Sequence, residues 1–227
     1  MPQAVNAFLM QPQVVLFDLD GTLADTAPDL AGAANRMRER RGLPALPVER
    51  LRRVASAGAR GMIGVALGKN PADAEFESLR DEFLAEYAAA LDVDSRLFDG
   101  VPELLACLEG AGLPWGVVTN KAMRFTGPVL DALGLAQRAA VVIAGDTTPY
   151  SKPHPEPLFE ACRRVSAEPA RAIYVGDDLR DIQAARAASM PCVAAAYGYL
   201  GEHGDVSAWA ADRVVPRPLD LLPLLGL

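Results

Sequence analysis

The 227-residue sequence is poor in the residue types that build transition-metal and redox sites. It has two histidines, His154 and His203, and three cysteines, Cys107, Cys162 and Cys192. The histidines are far apart, and the cysteines lack the paired spacing of a zinc site or a CxxC redox motif. We therefore expect no transition-metal centre, and we interpret the cysteines as reduced, buried thiols.

Long apolar stretches and an excess of positive charge are also missing. No run of roughly 18 apolar residues, the length of a membrane-spanning helix, occurs in the sequence. The first residues lack a basic leader followed by an apolar stretch, and Met10 is an alternative start. The formal net charge of −7 would repel nucleic acid and anionic membranes. We expect a soluble, cytoplasmic monomer or homodimer without nucleic-acid or membrane partners.

Apolar runs bounded by turn residues recur along the chain, and most are followed by a helical pattern. They are Val14–Phe17, Trp115–Val118, Val141–Ala144, Ala172–Val175 and Cys192–Ala196. Nearly continuous apolar strands are typical of a parallel sheet that is covered by helices on both faces. With right-handed crossovers, the sequence predicts a doubly wound, Rossmann-like α/β core, and a last short strand and closing helix after Trp209.

The interval between the first two predicted strands is far longer than a single crossover needs. Helical patterns within it cover Pro28–Arg40, Val48–Val54, Arg60–Leu67 and Glu75–Leu91, with glycine and proline as breaks. We therefore predict a small all-helical domain over residues 27–96, inserted into a core that comprises residues 13–26 and 97–227.

The segment FDLDGTL, Phe17–Leu23, directly follows the first predicted strand, where open α/β sheets place their ligands. Asp18 and Asp20 lie where that strand ends, and a divalent cation there can offset their repulsion, an arrangement that suits phosphoryl transfer. Gly21 would let the backbone approach a phosphate and Thr22 would supply hydrogen-bond donors, so both are candidate substrate-binding residues. The alternative is an ordinary Asp-Gly turn.

Two further polar segments follow later strands. Thr119 and Asn120 end the segment WGVVTN, where a hydroxyl and an amide are candidates for holding phosphoryl oxygens, although a Thr-Asn pair is also a common turn or helix cap. Lys152 precedes a helix whose start is set by prolines. Its ammonium group would neutralise a nucleophile and a phosphate together, and the alternative is a solvated surface lysine.

A cluster of three carboxylates, Asp177, Asp178 and Asp181, follows another predicted strand in YVGDDLRDI. Carboxylates this close need a counter-charge. One of them is expected to cap the following helix.

Together, these four segments resemble the motifs of the haloacid dehalogenase superfamily of phosphatases, and the resemblance covers the chain from about Val14. It implies that Asp18 attacks phosphorus to form an aspartyl phosphate, and that Asp20 protonates the leaving alcohol and then deprotonates the hydrolytic water. Haloacid dehalogenases themselves lack the second aspartate, so Asp20 favours a phosphatase or a phosphomutase.

The same resemblance implies a magnesium ion held by Asp18, Asp177 and the backbone carbonyl of Asp20. It makes Asp181 the partner of a metal-bound water and leaves the role of Asp178 open. Thr119, Asn120 and Lys152 complete the catalytic set that the resemblance implies.

The helical insert resembles the cap that closes over the active site in this superfamily and selects the substrate. Its hinges are expected near Ala24–Thr26 and Leu97–Val101. The segment Ser56–Gly68 is the candidate substrate-facing loop, in which Arg60 offers a guanidinium fork for a carboxylate. The alternative is that Arg60 merely starts a helix.

Several longer stretches resemble the phosphoglycolate phosphatase group and, within it, the bacterial N-acetylmuramic acid 6-phosphate phosphatases. They include SAGARGM, SRLFDGVPELL, WGVVTNKAMRF, SKPHPEPL, VGDDLRDI and AYGYLGEHGDVSAWAADRVV. The resemblance implies removal of the 6-phosphate of N-acetylmuramic acid 6-phosphate in peptidoglycan recycling. The alternatives are a 2-phosphoglycolate phosphatase, a phosphomutase and a non-catalytic sugar-phosphate sensor.

The motif assignment makes a direct prediction about the nucleophile. Replacing Asp18 with Asn removes the charged oxygen that attacks phosphorus, so we expect turnover to be abolished. Phosphate release from a phosphomonoester is the measurement. Activity that persists in Asp18→Asn would contradict the mechanism.

Overall fold

The computed structural model describes residues 12–201 and 204–227, so Met10 and His203 lie outside the described residues. The strands are β1 (Val14–Phe17), β2 (Ala24–Asp25), β3 (Arg96–Leu97), β4 (Trp115–Val118), β5 (Val141–Ile143), β6 (Ala172–Gly176), β7 (Cys192–Ala195) and β8 (Arg213–Val215). The α-helices are α1 (Ala27–Glu39), α2 (Val48–Arg52), α3 (Gly58–Leu67), α4 (Phe76–Ala88), α5 (Val101–Gly110), α6 (Met123–Ala132), α7 (Glu156–Arg164), α8 (Leu179–Ala187) and α9 (Leu222–Leu225).

Six strands form one sheet in the order β5-β4-β1-β6-β7-β8, and every neighbouring pair is parallel. Strand β1 lies inside the sheet, with Val15 opposite Trp115 of β4 on one side and Ile173 of β6 on the other. All five predicted apolar runs form strands, and β8 and α9 confirm the strand and helix that were predicted after Trp209. The predicted α/β fold class is therefore confirmed.

Side-chain alternation along β1 divides the core into two layers. Val15 and Phe17 pack in one hydrophobic cluster with residues of α5 and α6, whereas Val14 and Leu16 pack in the other with residues of α7 and α8. All four β1 side chains are fully buried. Because successive strand residues point to opposite faces, an all-apolar strand needs helices on both sides of the sheet.

Four helices, α1 to α4, lie between the short strands β2 and β3, which pair antiparallel. Each predicted helix of this region forms, but the bounds differ. The helix predicted from Arg60 starts at Gly58, where a positive φ ends the preceding short 3-10 helix, Ala55–Ala57. The helix predicted over Glu75–Leu91 is shorter and covers α4. The division into a core and an inserted domain over residues 27–96 stays a prediction.

The three cysteines are free, as predicted, but not all are buried. Cys162 and Cys192 are buried, and burial raises the pKa of each thiol to about 11, which disfavours the reactive thiolate. Cys107 is exposed, so the expectation of a buried thiol there was wrong. The reason is helical phase, because α5 buries Leu104, Leu105 and Leu108 on its inner face and turns position 107 outward.

In the described part of the chain, no helix has both the length and the apolar character required to cross a bilayer.

A buried carboxylate, Asp29, ties the start of α1 to the segment before β3. Its two oxygens accept hydrogen bonds from the backbone N–H groups of Asp94 and Ser95, at 2.9 Å each, and from the Ser95 hydroxyl at 2.6 Å. We expect Asp29→Ala to lower the free energy of unfolding by about 2 kcal/mol, because charge-assisted hydrogen bonds are lost. Urea denaturation measures this change.

The matched control is Asp92→Ala, since Asp92 is exposed in the same segment. We expect the control to change the free energy of unfolding by less than about 0.5 kcal/mol. Equal losses in the two variants would contradict the role of Asp29.

Candidate active site

The predicted site residues meet at the carboxyl edge of three adjacent strands. Asp18 follows β1, Thr119 follows β4 and Asp177 follows β6, and these strands are neighbours in the sheet. Lys152 lies in the loop before α7 and reaches the same edge. All four residues are buried, although each has a polar or charged side chain. This edge of the sheet is therefore the candidate active site.

The ammonium group of Lys152 connects two carboxylates. Its Nζ lies 3.0 Å from Asp18 Oδ1 and 2.8 Å from Asp181 Oδ1. It also donates to the hydroxyl of Tyr174 at 2.7 Å and to the Val118 carbonyl at 3.0 Å. Burial opposes the charged form, but Asp18 and Asp181 keep the pKa of Lys152 above its usual value. The alternative of a solvated surface lysine was wrong.

Three carboxylates form a cluster that suits a divalent cation. Asp18, Asp177 and Asp181 each offer an oxygen, and these oxygens lie within 4.8 Å of one another. Burial raises the pKa of Asp18 to about 6 even though Lys152 opposes the rise. Burial, Asp18 and Asp181 raise the pKa of Asp177 well above its usual range. Lys152 alone does not balance this charge, and an all-oxygen donor set fits a hard ion such as Mg²⁺.

Gly21 and Thr22 support Asp177, which differs from their predicted role in substrate binding. The Thr22 hydroxyl donates to Asp177 Oδ1 at 2.8 Å, and the N–H of Tyr199 donates to Oδ2 at 2.9 Å. Gly21 has a φ of +90°, and a Cβ there would lie 2.1 Å from Asp177 Oδ2. The close neighbour that requires a glycine at position 21 is thus a carboxylate of the protein, and the predicted role of both residues in substrate binding stays a prediction.

Two side chains donate hydrogen bonds to Asp20, and neither was among the predicted site residues. The Nζ of Lys121 lies 2.7 Å from Asp20 Oδ1, and the Thr26 hydroxyl donates to the same oxygen. Although burial opposes it, Asp20 raises the pKa of Lys121 above its usual value. The signal for Lys121 was its position directly after Thr119-Asn120, at the end of a strand.

The side-chain amide of Asn120 is hydrogen-bonded to the backbone of Lys152. Its Nδ2 donates to the Lys152 carbonyl and its Oδ1 accepts from the Lys152 N–H, at 2.9 Å in both cases. The Asn120 side chain therefore positions Lys152, and its predicted contact with phosphoryl oxygens stays a prediction. Thr119 accepts a hydrogen bond from the N–H of Lys121 at 3.2 Å, a turn contact that the sequence had left as an alternative.

The aspartates of the last motif have separate environments. Asp178 caps α8, where its side chain accepts from the N–H of Arg180 at 2.9 Å and pairs with the Arg180 guanidinium at 2.7 Å. Asp181 accepts from the N–H of Asp178 at 3.0 Å and faces Lys152. Asp178 is thus the helix-capping carboxylate, and Asp181 belongs to the acidic cluster.

A cavity of about 320 Å³ lies between the strand edge and the inserted helices. Asp18, Asp20 and Lys152 line it on one side. The other side is formed by the segment 55–59 and by residues of α4 and α6, including Phe83, Tyr87 and Phe125. These aromatic residues were not predicted from the sequence, and their only signal was the spacing of Phe83 and Tyr87 by four residues on one helix face.

Arg60 lies outside this cavity. It is exposed and lines a neighbouring cavity of about 170 Å³ together with Arg53 and Arg180. Among the described residues, the guanidinium group that lines both cavities is that of Arg180, which donates to the Ser56 carbonyl at 2.6 Å. The predicted contact between Arg60 and a carboxylate in the catalytic cavity is therefore not supported by its position.

Comparison with known proteins gives consistent similarities. The haloacid dehalogenase-like hydrolase family matches residues 15–195. The chain is 45% identical to an N-acetylmuramic acid 6-phosphate phosphatase of Pseudomonas aeruginosa, over 95% of this chain and 96% of the relative. It is 48% identical to a phosphoglycolate phosphatase of Xanthomonas campestris, over 92% and 95% of the two chains. A crystal structure of a predicted phosphoglycolate phosphatase from Haemophilus somnus is 29% identical, with a TM-score of 0.83 over 95% of this chain and 99% of that one.

The close approach at Gly21 gives a test of the acidic cluster. We expect Gly21→Ala to displace Asp177 and to raise the half-saturating Mg²⁺ concentration for phosphate release by at least about tenfold, as disturbed metal sites do. A magnesium titration of activity measures this shift.

Gly112→Ala is the matched control, because Gly112 has a φ of +69° and an added Cβ would have no atom within 4 Å beyond its own chain neighbours. It introduces the same backbone strain, about 1 kcal/mol, without a clash. We expect its magnesium dependence to equal that of the unmodified protein. An unchanged titration in Gly21→Ala would contradict the assignment of Asp177.

Proposed function

The chain belongs to the haloacid dehalogenase-like hydrolases and is a phosphatase, and we propose that its substrate is N-acetylmuramic acid 6-phosphate, an intermediate of peptidoglycan recycling. The observation that carries this proposal is the cavity of about 320 Å³ beside Asp18, with Phe83, Tyr87 and Phe125 in its wall. Aromatic and apolar walls with a few polar groups suit a substituted sugar, whereas a two-carbon acid would leave most of this space unfilled.

Asp18 is the proposed nucleophile, and its environment distinguishes its two oxygens. Oδ1 accepts from the N–H of Leu19 at 2.8 Å and faces Lys152 at 3.0 Å. Among the described contacts, Oδ2 receives no hydrogen bond, so it is the oxygen available for attack on phosphorus. The P–O bond to the sugar then breaks and an aspartyl phosphate forms. Lys152 stabilises the negative charge on Asp18 and on the phosphoryl group.

Asp20 is the proposed acid and base. Lys121 and Thr26 both contact Oδ1, which leaves Oδ2 for the reacting oxygen atoms. Asp20 gives its proton to the sugar oxygen as that oxygen leaves. It then takes a proton from the water that attacks the aspartyl phosphate, and inorganic phosphate is released.

Mg²⁺ is the proposed cofactor. Asp18, Asp177 and the Asp20 carbonyl would hold it, with Asp181 beside them, and when bound it would neutralise charge on the phosphoryl oxygens. The support is the buried cluster of three carboxylates with one ammonium group among them.

A second candidate substrate is 2-phosphoglycolate, since a relative with that named activity is as similar to this chain as the sugar-phosphate phosphatase. Both substrates carry a carboxylate and a phosphomonoester, so the catalytic residues serve either one. The size of the leaving group is what distinguishes them.

The test compares kcat/KM for the two substrates with Mg²⁺, because this ratio reports differential transition-state binding. We expect N-acetylmuramic acid 6-phosphate to be preferred by at least about tenfold, since its sugar contacts the cavity wall. The same preparation of Asp18→Asn is the control for contaminating phosphatases. A preference for 2-phosphoglycolate would contradict the proposed substrate and leave the roles of Asp18 and Lys152 standing.

A further inference from the structure

Two residues that line the catalytic cavity carry buried hydroxyl groups whose protons have no hydrogen-bond acceptor among the described residues. These hydroxyl groups are the Ser56 Oγ and the Tyr87 Oη. Both residues line the cavity that contains Asp18 and Asp20. The large majority of buried polar groups are hydrogen-bonded. Two buried hydroxyl protons without an acceptor in one cavity therefore indicate that a ligand supplies the missing acceptors.

The ring of Tyr87 is held firmly in place. It lies 5.4 Å from the ring of Phe125 and 6.5 Å from that of Phe83, measured between centroids. The Nζ of Lys121 lies 4.9 Å from the centroid of the same ring. An ammonium group only donates hydrogen bonds, so Lys121 offers no acceptor for the phenolic proton. No described residue supplies the oxygen or nitrogen acceptor that this proton needs, and a molecule bound in the cavity can supply it.

Ser56 is fixed through its backbone. Its carbonyl accepts a hydrogen bond from Arg180 at 2.6 Å, and Arg180 is itself paired with Asp178 at the start of α8. This contact joins the segment before α3 to the first turn of α8, and the Ser56 hydroxyl takes no part in it.

The ring of Tyr87 lies beside the lysine that contacts the proposed acid, on the side of the cavity that a leaving group would occupy. Lys121 contacts both Asp20, the proposed acid, and the ring of Tyr87. A leaving oxygen that takes a proton from Asp20 therefore places the atoms bonded to it near Tyr87.

We propose that the hydroxyls of Ser56 and Tyr87 hydrogen-bond to oxygen atoms of the sugar, and that these residues select a polyoxygenated leaving group. The inference rests on the proposed sugar-phosphate substrate and goes further by naming the residues that recognise the sugar. A small substrate leaves both hydroxyls unpaired, and a site with unpaired buried polar groups discriminates strongly against such a substrate.

The experiment compares Tyr87→Phe with the unmodified protein. We expect kcat/KM for N-acetylmuramic acid 6-phosphate to fall at least tenfold and kcat/KM for 2-phosphoglycolate to change less than twofold. Ser56→Ala is the second variant, with the same expected direction. Tyr150→Phe is the matched control, because Tyr150 is 57% exposed and does not line this cavity, and we expect both ratios to stay within twofold.

Thermal unfolding without substrate is the second readout. A buried hydroxyl proton without an acceptor in the free protein does not stabilise the fold, so we expect the Tm of Tyr87→Phe to equal or exceed that of the unmodified protein. A clearly lower Tm would show that the hydroxyl has a partner inside the protein and would overturn the inference for Tyr87.

The outcomes separate this inference from the proposed substrate. If the unmodified protein fails to turn over the sugar phosphate, the proposed substrate and this inference both fall. If it prefers the sugar phosphate but both variants lose activity equally on the two substrates, or lose none, only the inference falls. If Tyr87→Phe does not fold, the inference for Tyr87 falls and the ratio for Ser56→Ala decides the other half.

Discussion

The contact on which the active site depends is the buried ammonium group of Lys152 between Asp18 and Asp181. Three buried carboxylates on one edge of a sheet repel each other and lose their hydration, and Lys152 offsets part of this cost at Asp18 and Asp181. Neighbouring elements hold this cation from several sides. The Tyr174 hydroxyl and the Val118 carbonyl accept hydrogen bonds from its Nζ. The Asn120 side chain forms hydrogen bonds with both the backbone N–H and the carbonyl of Lys152.

A second constraint is the close approach of the backbone to Asp177. Gly21 and Gly198 both lack room for a Cβ beside this carboxylate, and the Tyr199 N–H donates to it. The hydroxyl of Tyr199 also donates to Asp25 at 3.0 Å and accepts from the backbone N–H of Thr26. The proposed metal ligand and the start of the helical insert are thus joined through one tyrosine, so a shift at β2 would reach the acidic cluster.

The proposed roles of the site residues fall into two groups, phosphoryl transfer and substrate selection. Asp18, Asp20 and Lys152 lie on loops that follow strands of the sheet, and their proposed roles concern only the phosphoryl group and the leaving oxygen. Ser56 and Tyr87 come from the region between β2 and β3 and line the cavity, and their proposed contacts concern the rest of the substrate. Because these two sets come from different parts of the chain, the proposed roles imply that changes in the helical region would alter the preferred ester and leave the phosphoryl chemistry unchanged.

The sequence by itself determined the doubly wound sheet, the helices between the first two long strands and the carboxylates and lysine at the strand edge. The sheet and the helices follow from local patterns, since an apolar run with turn residues at its ends specifies a buried strand and its carboxyl end. The carboxylates and the lysine were singled out because their segments resemble the motifs of the superfamily. The tertiary structure decided what each side chain touches. Gly21 and Thr22 serve Asp177, Asn120 holds Lys152, and Arg60 lies outside the cavity, while Lys121 and Tyr87 lie within it. These contacts join residues far apart in the chain, and periodicity carries no information about which distant side chains meet.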